Sequence, residues 1–224
     1  MIAWHSGSAV RHRTPTPGAG RRVSPIWFQC IVFAALGGCG LNERLPAPVF
    51  SPAAAAAQAI ALYDKNGDGV LDEKELEKCP ALKSALEKMD TNNDKRLSAE
   101  EIAARLTLHQ QAGIGITTVA CKVWANHGPL EAATVRLIPE PFMGSAFQPA
   151  AGVSDANGAV DLRIDGSKYP GVHCGFYRVE VSKTDGAGRE SLPARYNAQT
   201  TLGAEVAPDM RGGLVFKLTT ENKR

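Results

Sequence analysis

The spacing of apolar residues changes once along this chain, near Ile116, from a helical period to a strand period. Ala53 to Tyr63 is alanine-rich, carries Ile60, Leu62 and Tyr63, and reads as a helix. Glu73 to Lys78 reads as a shorter helical stretch. Pro80 suits the first position of a helix, and Leu82, Leu86 and Met89 follow at helical spacing. Ser98 to His109 predicts another helix, with Ile102, Leu106 and Leu108 on it. From Ile116 onward side chains alternate. Val119, Cys121 and Val123 share one face of a strand, as do Val160, Leu162 and Ile164, then Tyr177, Val179 and Val181, with Phe176 breaking the last pattern. Ala133–Pro139, Glu205–Val206 and Leu214–Leu218 read as further strands, and Ser154–Gly158 is a hairpin signal. About seven short strands with turns between them point to a β-sandwich. The expected fold is α+β and multidomain: a small all-α unit over residues 53–112, then an all-β, immunoglobulin-like sandwich over residues 116–220.

A different apolar pattern precedes these elements. Ile26 to Leu36 is an eleven-residue run, too short to span a bilayer as a helix but of signal-peptide length, with Arg21 and Arg22 just ahead of it. Leu36-Gly37-Gly38-Cys39 follows directly. This resembles the lipobox of bacterial lipoproteins, which implies cleavage after residue 38 and lipidation of Cys39, whose thiol takes the lipid. Gly40 in place of aspartate is compatible with outer-membrane sorting. Residues 39–52 are rich in proline and alanine and read as a tether. The expected location is therefore the cell envelope, with the chain held on the membrane through Cys39.

Charge supports that division. The chain carries 25 basic and 23 acidic residues, and four of the arginines lie in residues 1–38 with no acid beside them, leaving a body of net charge −2. A near-neutral body argues against a nucleic-acid partner.

The most specific chemistry lies in two short segments. Asp64-Lys65-Asn66-Gly67-Asp68-Gly69-Val70-Leu71-Asp72-Glu73-Lys74-Glu75 fits the twelve-residue EF-hand loop. Calcium is a hard cation that takes six to eight oxygens, and alternate loop positions supply them because the loop curls around the ion. Asp64, Asn66 and Asp68 offer side-chain oxygens, Val70 a backbone carbonyl, Asp72 a direct or water-mediated contact, and Glu75 two oxygens. Gly69 stands at the sharp turn, where positive φ is needed. In the second segment Asp90, Asn92, Asp94, Arg96 (through its carbonyl), Ser98 and Glu101 occupy the same positions. Leu97 matches Leu71, and the two are expected to pair in a short β-bridge. Lys95 replaces the turn glycine, which predicts strain and a weaker second site. Fourteen residues separate the loops, which resembles compact bacterial EF-hand pairs. Exported sites of this kind bind calcium at about 0.1–1 mM, which makes the ion a structural staple.

The second half carries its own resemblance. The order of Gly128-Pro129-Leu130-Glu131-Ala132-Ala133-Thr134-Val135, Leu137-Ile138-Pro139-Glu140, Val153-Ser154-Asp155-Ala156-Asn157-Gly158, Gly175 to Val181 and Leu192-Pro193-Ala194-Arg195-Tyr196 is similar to the carboxypeptidase regulatory-like, transthyretin-like domain. The resemblance implies a non-catalytic accessory module that contacts another envelope protein or a glycan. A small-ligand or glycan site on loop 140–153, using Phe142 and Phe147, is the alternative.

Of the five cysteines, Cys121 and Cys174 lie on or beside strands, and two readings stand open: a disulfide across the sandwich, or two buried thiols. His109, His127 and His173 are scattered, and no nucleophile elbow, zinc-protease motif or phosphate loop occurs, so no enzymatic activity is expected.

Overall fold

The computed structural model describes residues 45–220. The leader, Cys39 and the first part of the tether lie outside the described residues. Four helices come first: α1 (Pro52–Tyr63), the single turn α2 (Glu73–Leu76), α3 (Pro80–Met89) and α4 (Ala99–Gln111). Between them run two-residue strands, β1 (Val70–Leu71) and β2 (Leu97–Ser98). Local chemistry sets the helix ends. Ser51 caps α1 by accepting from the Ala54 N–H, with Pro52 at the first position, and Pro80 starts α3 in the same way.

Nine strands follow: β3 (Cys121–Ala125), β4 (Gly128–Pro129), β5 (Thr134–Pro139), β6 (Ala150–Val153), β7 (Ala159–Val160), β8 (Arg163–Ile164), β9 (Gly175–Ser182), β10 (Leu202–Val206) and β11 (Leu214–Leu218). One antiparallel sheet has the order β10-β9-β5-β6-β8. The other is β11-β3-β4, with β7 also on β3 and with β11 parallel to β3. Inward residues of both sheets, among them Val123, Phe216, Val135, Tyr177 and Val179, form one apolar core. The chain is thus α+β, helical first and mostly β afterwards. The strands expected at Gly175–Ser182 and Leu214–Leu218 have those bounds.

Strand β9 explains the break in its own pattern. Tyr177, Val179 and Val181 face the core between the sheets, while Phe176 faces the other way and is equally buried, because the helices cover that side. A second apolar cluster forms there from Leu71, Leu76, Leu82, Met89, Leu97, Ile102 and Leu106 of the helical part with Phe142, Met143, Phe147 and Phe176 of the β part. The close approach requires glycine at one point. Gly203 on β10 lies against the Pro80 backbone, and a Cβ there would collide with it. The end of the tether joins the same cluster: Phe50 packs edge-on against Phe147 at 5.1 Å, and Gln110 donates to the Phe50 carbonyl. Residues 45–220 therefore lie in one compact unit.

Two sequence readings are corrected here. Segment 140–153 is not an open ligand loop: it holds a 3-10 turn at Pro141–Met143 and strand β6, and Phe142 and Phe147 are 1% and 5% exposed inside the shared cluster. Those rings are consumed by helix docking, so neither can serve as a ligand platform. Cys121 and Cys174 are both buried and both free, so the disulfide reading fails and the two-thiol reading stands. On α4 the polar Arg105 and His109 are buried beside Ile102 and Leu106, while Leu108 is 51% exposed.

Arg105 and His109 are buried because they meet a carboxylate. Arg105 Nε and Nη2 donate to the two oxygens of Glu205 on β10, at 2.5 and 3.0 Å. Nη1 and Nη2 donate to Asp209, each at 2.8 Å. His109 Nε2 lies 2.9 Å from Glu205, and its ring stacks on Phe176 at 5.5 Å. Burial by itself would raise the Glu205 carboxyl, but the bonds from His109 and Arg105 outweigh it and hold the group below the ordinary 4.5. Its contribution to stability is therefore complete above pH 4.5 and is lost as pH falls toward the lowered folded-state value. We predict that Glu205→Gln lowers the unfolding free energy by about 3 kcal/mol at neutral pH, because Arg105 loses a buried partner. The variant should also have a flatter acid limb, and urea denaturation of wild type and variant across the acid range checks both outcomes.

Candidate metal centre

Both loops are built the same way. The first runs from Asp64, just past α1, to Glu75 in α2; the second runs from Asp90, just past α3, to Glu101 in α4. β1 and β2 join them back to back, with Leu71 paired to Leu97 and Val70 to Ser98, as the matching leucines predict. This register puts Val70 on the bridge between the loops, with Arg96 immediately ahead of it.

The first residue of each loop gathers the turn. Asp64 accepts from the N–H groups of Gly67 (2.6 Å) and Gly69 (2.9 Å), and Asp90 from those of Asp94 (3.2 Å) and Lys95 (2.8 Å). The backbone N–H of Gly69, ahead of those of Gly67 and Asp68, keeps the Asp64 carboxyl below the usual range, in the ionised form a cation needs. Asn66 and Asn92 each accept from the amide two positions on and donate to the aspartate there, at 3.2 Å to Asp68 and 2.9 Å to Asp94.

The last residue closes the loop. Glu75 accepts from the N–H groups of Lys65 (2.7 Å), Asn66 (3.2 Å) and Asp72 (3.0 Å). Glu101 accepts from the N–H and hydroxyl of Thr91 (2.9 and 3.0 Å) and of Ser98 (3.0 and 2.9 Å). Asp72 with Glu75, and Ser98 with Glu101, form reciprocal capping boxes, so the ninth and twelfth loop positions also start the exiting helix. Both glutamates are more than nine-tenths buried, and such acids need this many donors. At Glu101 burial opposes ionisation, and the bonds from Ser98 and Thr91 overcome it and hold the carboxyl below the ordinary range.

The residues present fit a hard cation in kind: each loop offers carboxylates, one amide oxygen and one backbone carbonyl, with no sulfur or imidazole. Among the described residues, no three His, Cys, Asp or Glu side chains converge on one point. The carboxylates are turned instead to donors of their own loop, and Glu75 Oε1 and both oxygens of Glu101 each accept two such bonds.

Residues 57–80 match the EF hand family model. That segment spans the end of α1, the whole first loop, α2 and Pro80, and it supports calcium binding at the first EF-hand loop. No curated protein and no solved structure matches the chain.

The two EF-hand-like loops differ where the sequence says they should. Gly69 has φ +84°, while Lys95 in the second loop has φ 64°, a conformation that costs a residue with a Cβ about 1–2 kcal/mol. Arg96 reaches across to Asp68 at 3.5 Å, so a cation of the second loop lies against an acid of the first.

Sequence reasoning did not anticipate what holds the first loop against the sheet. Tyr63, the residue before Asp64, donates to Glu140 at 3.0 Å. Glu140 is 1% exposed, its other oxygen has no partner among the described residues, and burial pushes its carboxyl up. Only the tyrosine ahead of the loop and the glutamate after Pro139 were visible, with no sign of their pairing.

Among the described residues, one groove brings a serine and a histidine near each other. Asp165, Ser167 and His173 line one groove. There the Ser167 hydroxyl donates to the Tyr169 carbonyl and His173 Nδ1 bonds the Gly115 carbonyl, so serine and imidazole do not engage each other.

Lys95→Gly removes the strain without touching an oxygen donor. It is predicted to raise the unfolding free energy of the metal-free protein by about 1 kcal/mol and to tighten calcium uptake at the second loop. Thermal denaturation with and without calcium measures both.

Proposed function

We propose that this chain is a calcium-binding, lipid-anchored envelope protein without enzymatic activity, whose β portion contacts another envelope protein or a glycan. The observation that carries the reading is the pairing of two loops with oxygen donors in the same register, joined at Leu71 and Leu97, the first of which matches the EF hand family. Asp64, Asn66, Asp68, Val70, Asp72 and Glu75 would hold one ion, and Asp90, Asn92, Asp94, Arg96, Ser98 and Glu101 a second. Export and anchoring rest on the basic flank, the apolar run and Cys39. The transthyretin-like reading of the β portion rests on its turn and strand order and is supported by two sheets around one core.

Calcium acts here as a staple. The loops end in helices that share a core with the sheet, so an ion bound in a loop stabilises the β part as well. This favours the second reading in one respect: a ligand- or glycan-binding module could use calcium purely to hold its shape.

Calorimetric titration of the protein with calcium is expected to show saturable uptake. Glu75→Gln should remove the tighter event and Glu101→Gln the weaker one. At an ion concentration about one hundred times Kd, the whole unit should gain about 2.7 kcal/mol in a single transition. Absence of uptake at millimolar calcium would end the calcium reading, and retention of membrane partitioning by Cys39→Ser would end the lipid anchor.

A further inference from the structure

A polar cleft of about 370 Å³ opens between the helical part and the first sheet. Its walls are Glu77 and Lys78 after α2, Pro80 at the start of α3, Arg178 and Glu180 on β9, and the segment from Asn197 to Thr201. Formally the charged lining is balanced, and each acid already has a cation within 4 Å. Glu77 pairs with Lys83 at 3.9 Å and Glu180 with Arg136 at 3.7 Å. With those partners and the buried Glu140, the neighbourhood holds four basic side chains against three acidic ones. Lys78 and Arg178 form no ion pair with any described residue, and Arg178 Nε is buried without a hydrogen-bond partner among them. Glu140 lies close enough to feel the charge of Arg178 but accepts no bond from it.

The rest of the lining is largely self-satisfied. Thr200 donates to the Val179 carbonyl, Thr201 to the Arg195 carbonyl and Asn197 to the Leu192 carbonyl. The uncommitted groups are therefore a guanidinium, an ammonium and the Gln199 amide, all of which can donate. A buried guanidinium donor with nothing to bond is costly, and its fork matches a carboxylate or phosphate.

We infer that this cleft is a binding site for a small oxyanion, carboxylate or phosphate, held by Arg178 and Lys78 and oriented by Gln199. The site does not depend on the calcium reading, since none of its residues is a loop donor.

The full chain is titrated calorimetrically in metal-free buffer at constant ionic strength with inorganic phosphate, with acetate, and with glucose as a neutral polar control. Saturable uptake of phosphate or acetate is expected, and which of them binds identifies the source of the oxyanion. Lys78→Gln, at an exposed position, should weaken uptake several-fold, and Arg178→Gln about tenfold or more. Lys122→Gln, on the other sheet, should leave it unchanged. No saturable uptake of either anion overturns the proposal. So does uptake that Lys78→Gln leaves intact, or glucose binding as tightly as the anions; Lys78→Gln decides even if Arg178→Gln misfolds.

Discussion

Arg105 joins the two halves of this molecule. Its guanidinium lies on the buried face of α4, in the contact with the sheet, and is bound by both oxygens of Glu205 and by Asp209. A buried cation is tolerable only when its donors are filled, and here two carboxylates fill them. His109 extends the same cluster and lays its ring on Phe176. Once this polar centre is in place, the apolar residues around it have one way to pack. Met89 and Ile102 meet Phe142, Met143 and Phe176, and Gly203 lets the α3 backbone come up to β10.

That docking gives the loops a foundation which a free-standing helix pair of this size lacks. A small all-helical unit buries little apolar surface by itself. Borrowing four large side chains from the β part supplies the missing core. The closing glutamates serve two purposes in this frame. Each caps the helix that rests on the sheet and each presents its oxygens to the loop interior, so loop geometry and helix placement are coupled through one side chain. Tyr63 ties the other end of the first loop to Glu140, so that loop is anchored to the β part ahead of its first residue as well as through the helix that follows its last.

Much of this was legible from spacing alone. Donor positions in the loops, the Leu71–Leu97 bridge, the start of α3 at Pro80 and the bounds of β9 and β11 follow from local periodicity and local chemistry. Three features did not. Phe176 looked like an exception to alternation because a strand buried on both faces has no polar side to mark it. Phe142 and Phe147 looked available because what covers them, the helical cluster with Phe50 and Phe176, is remote in sequence and leaves no local sign. Leu108 looks no different from Ile102 and Leu106 by hydrophobicity, whereas α4 turns Arg105 and His109 inward to reach Glu205, a residue 96 positions beyond His109. Local patterns specify elements, but which faces meet is decided by long-range charge pairing that leaves no periodic trace.

The apolar seam beneath the helices also bears on how the protein can be divided. A cut near residue 114 looks natural, since helices end and strands begin there. Expressing the strands alone would bare Phe142, Met143, Phe147 and Phe176 to water, and expressing the helices alone would strip their core of those four side chains while leaving the Arg105 charge without Glu205. Either fragment would be a sticky, unfinished object, so the smallest independently soluble piece must span both sides of that junction.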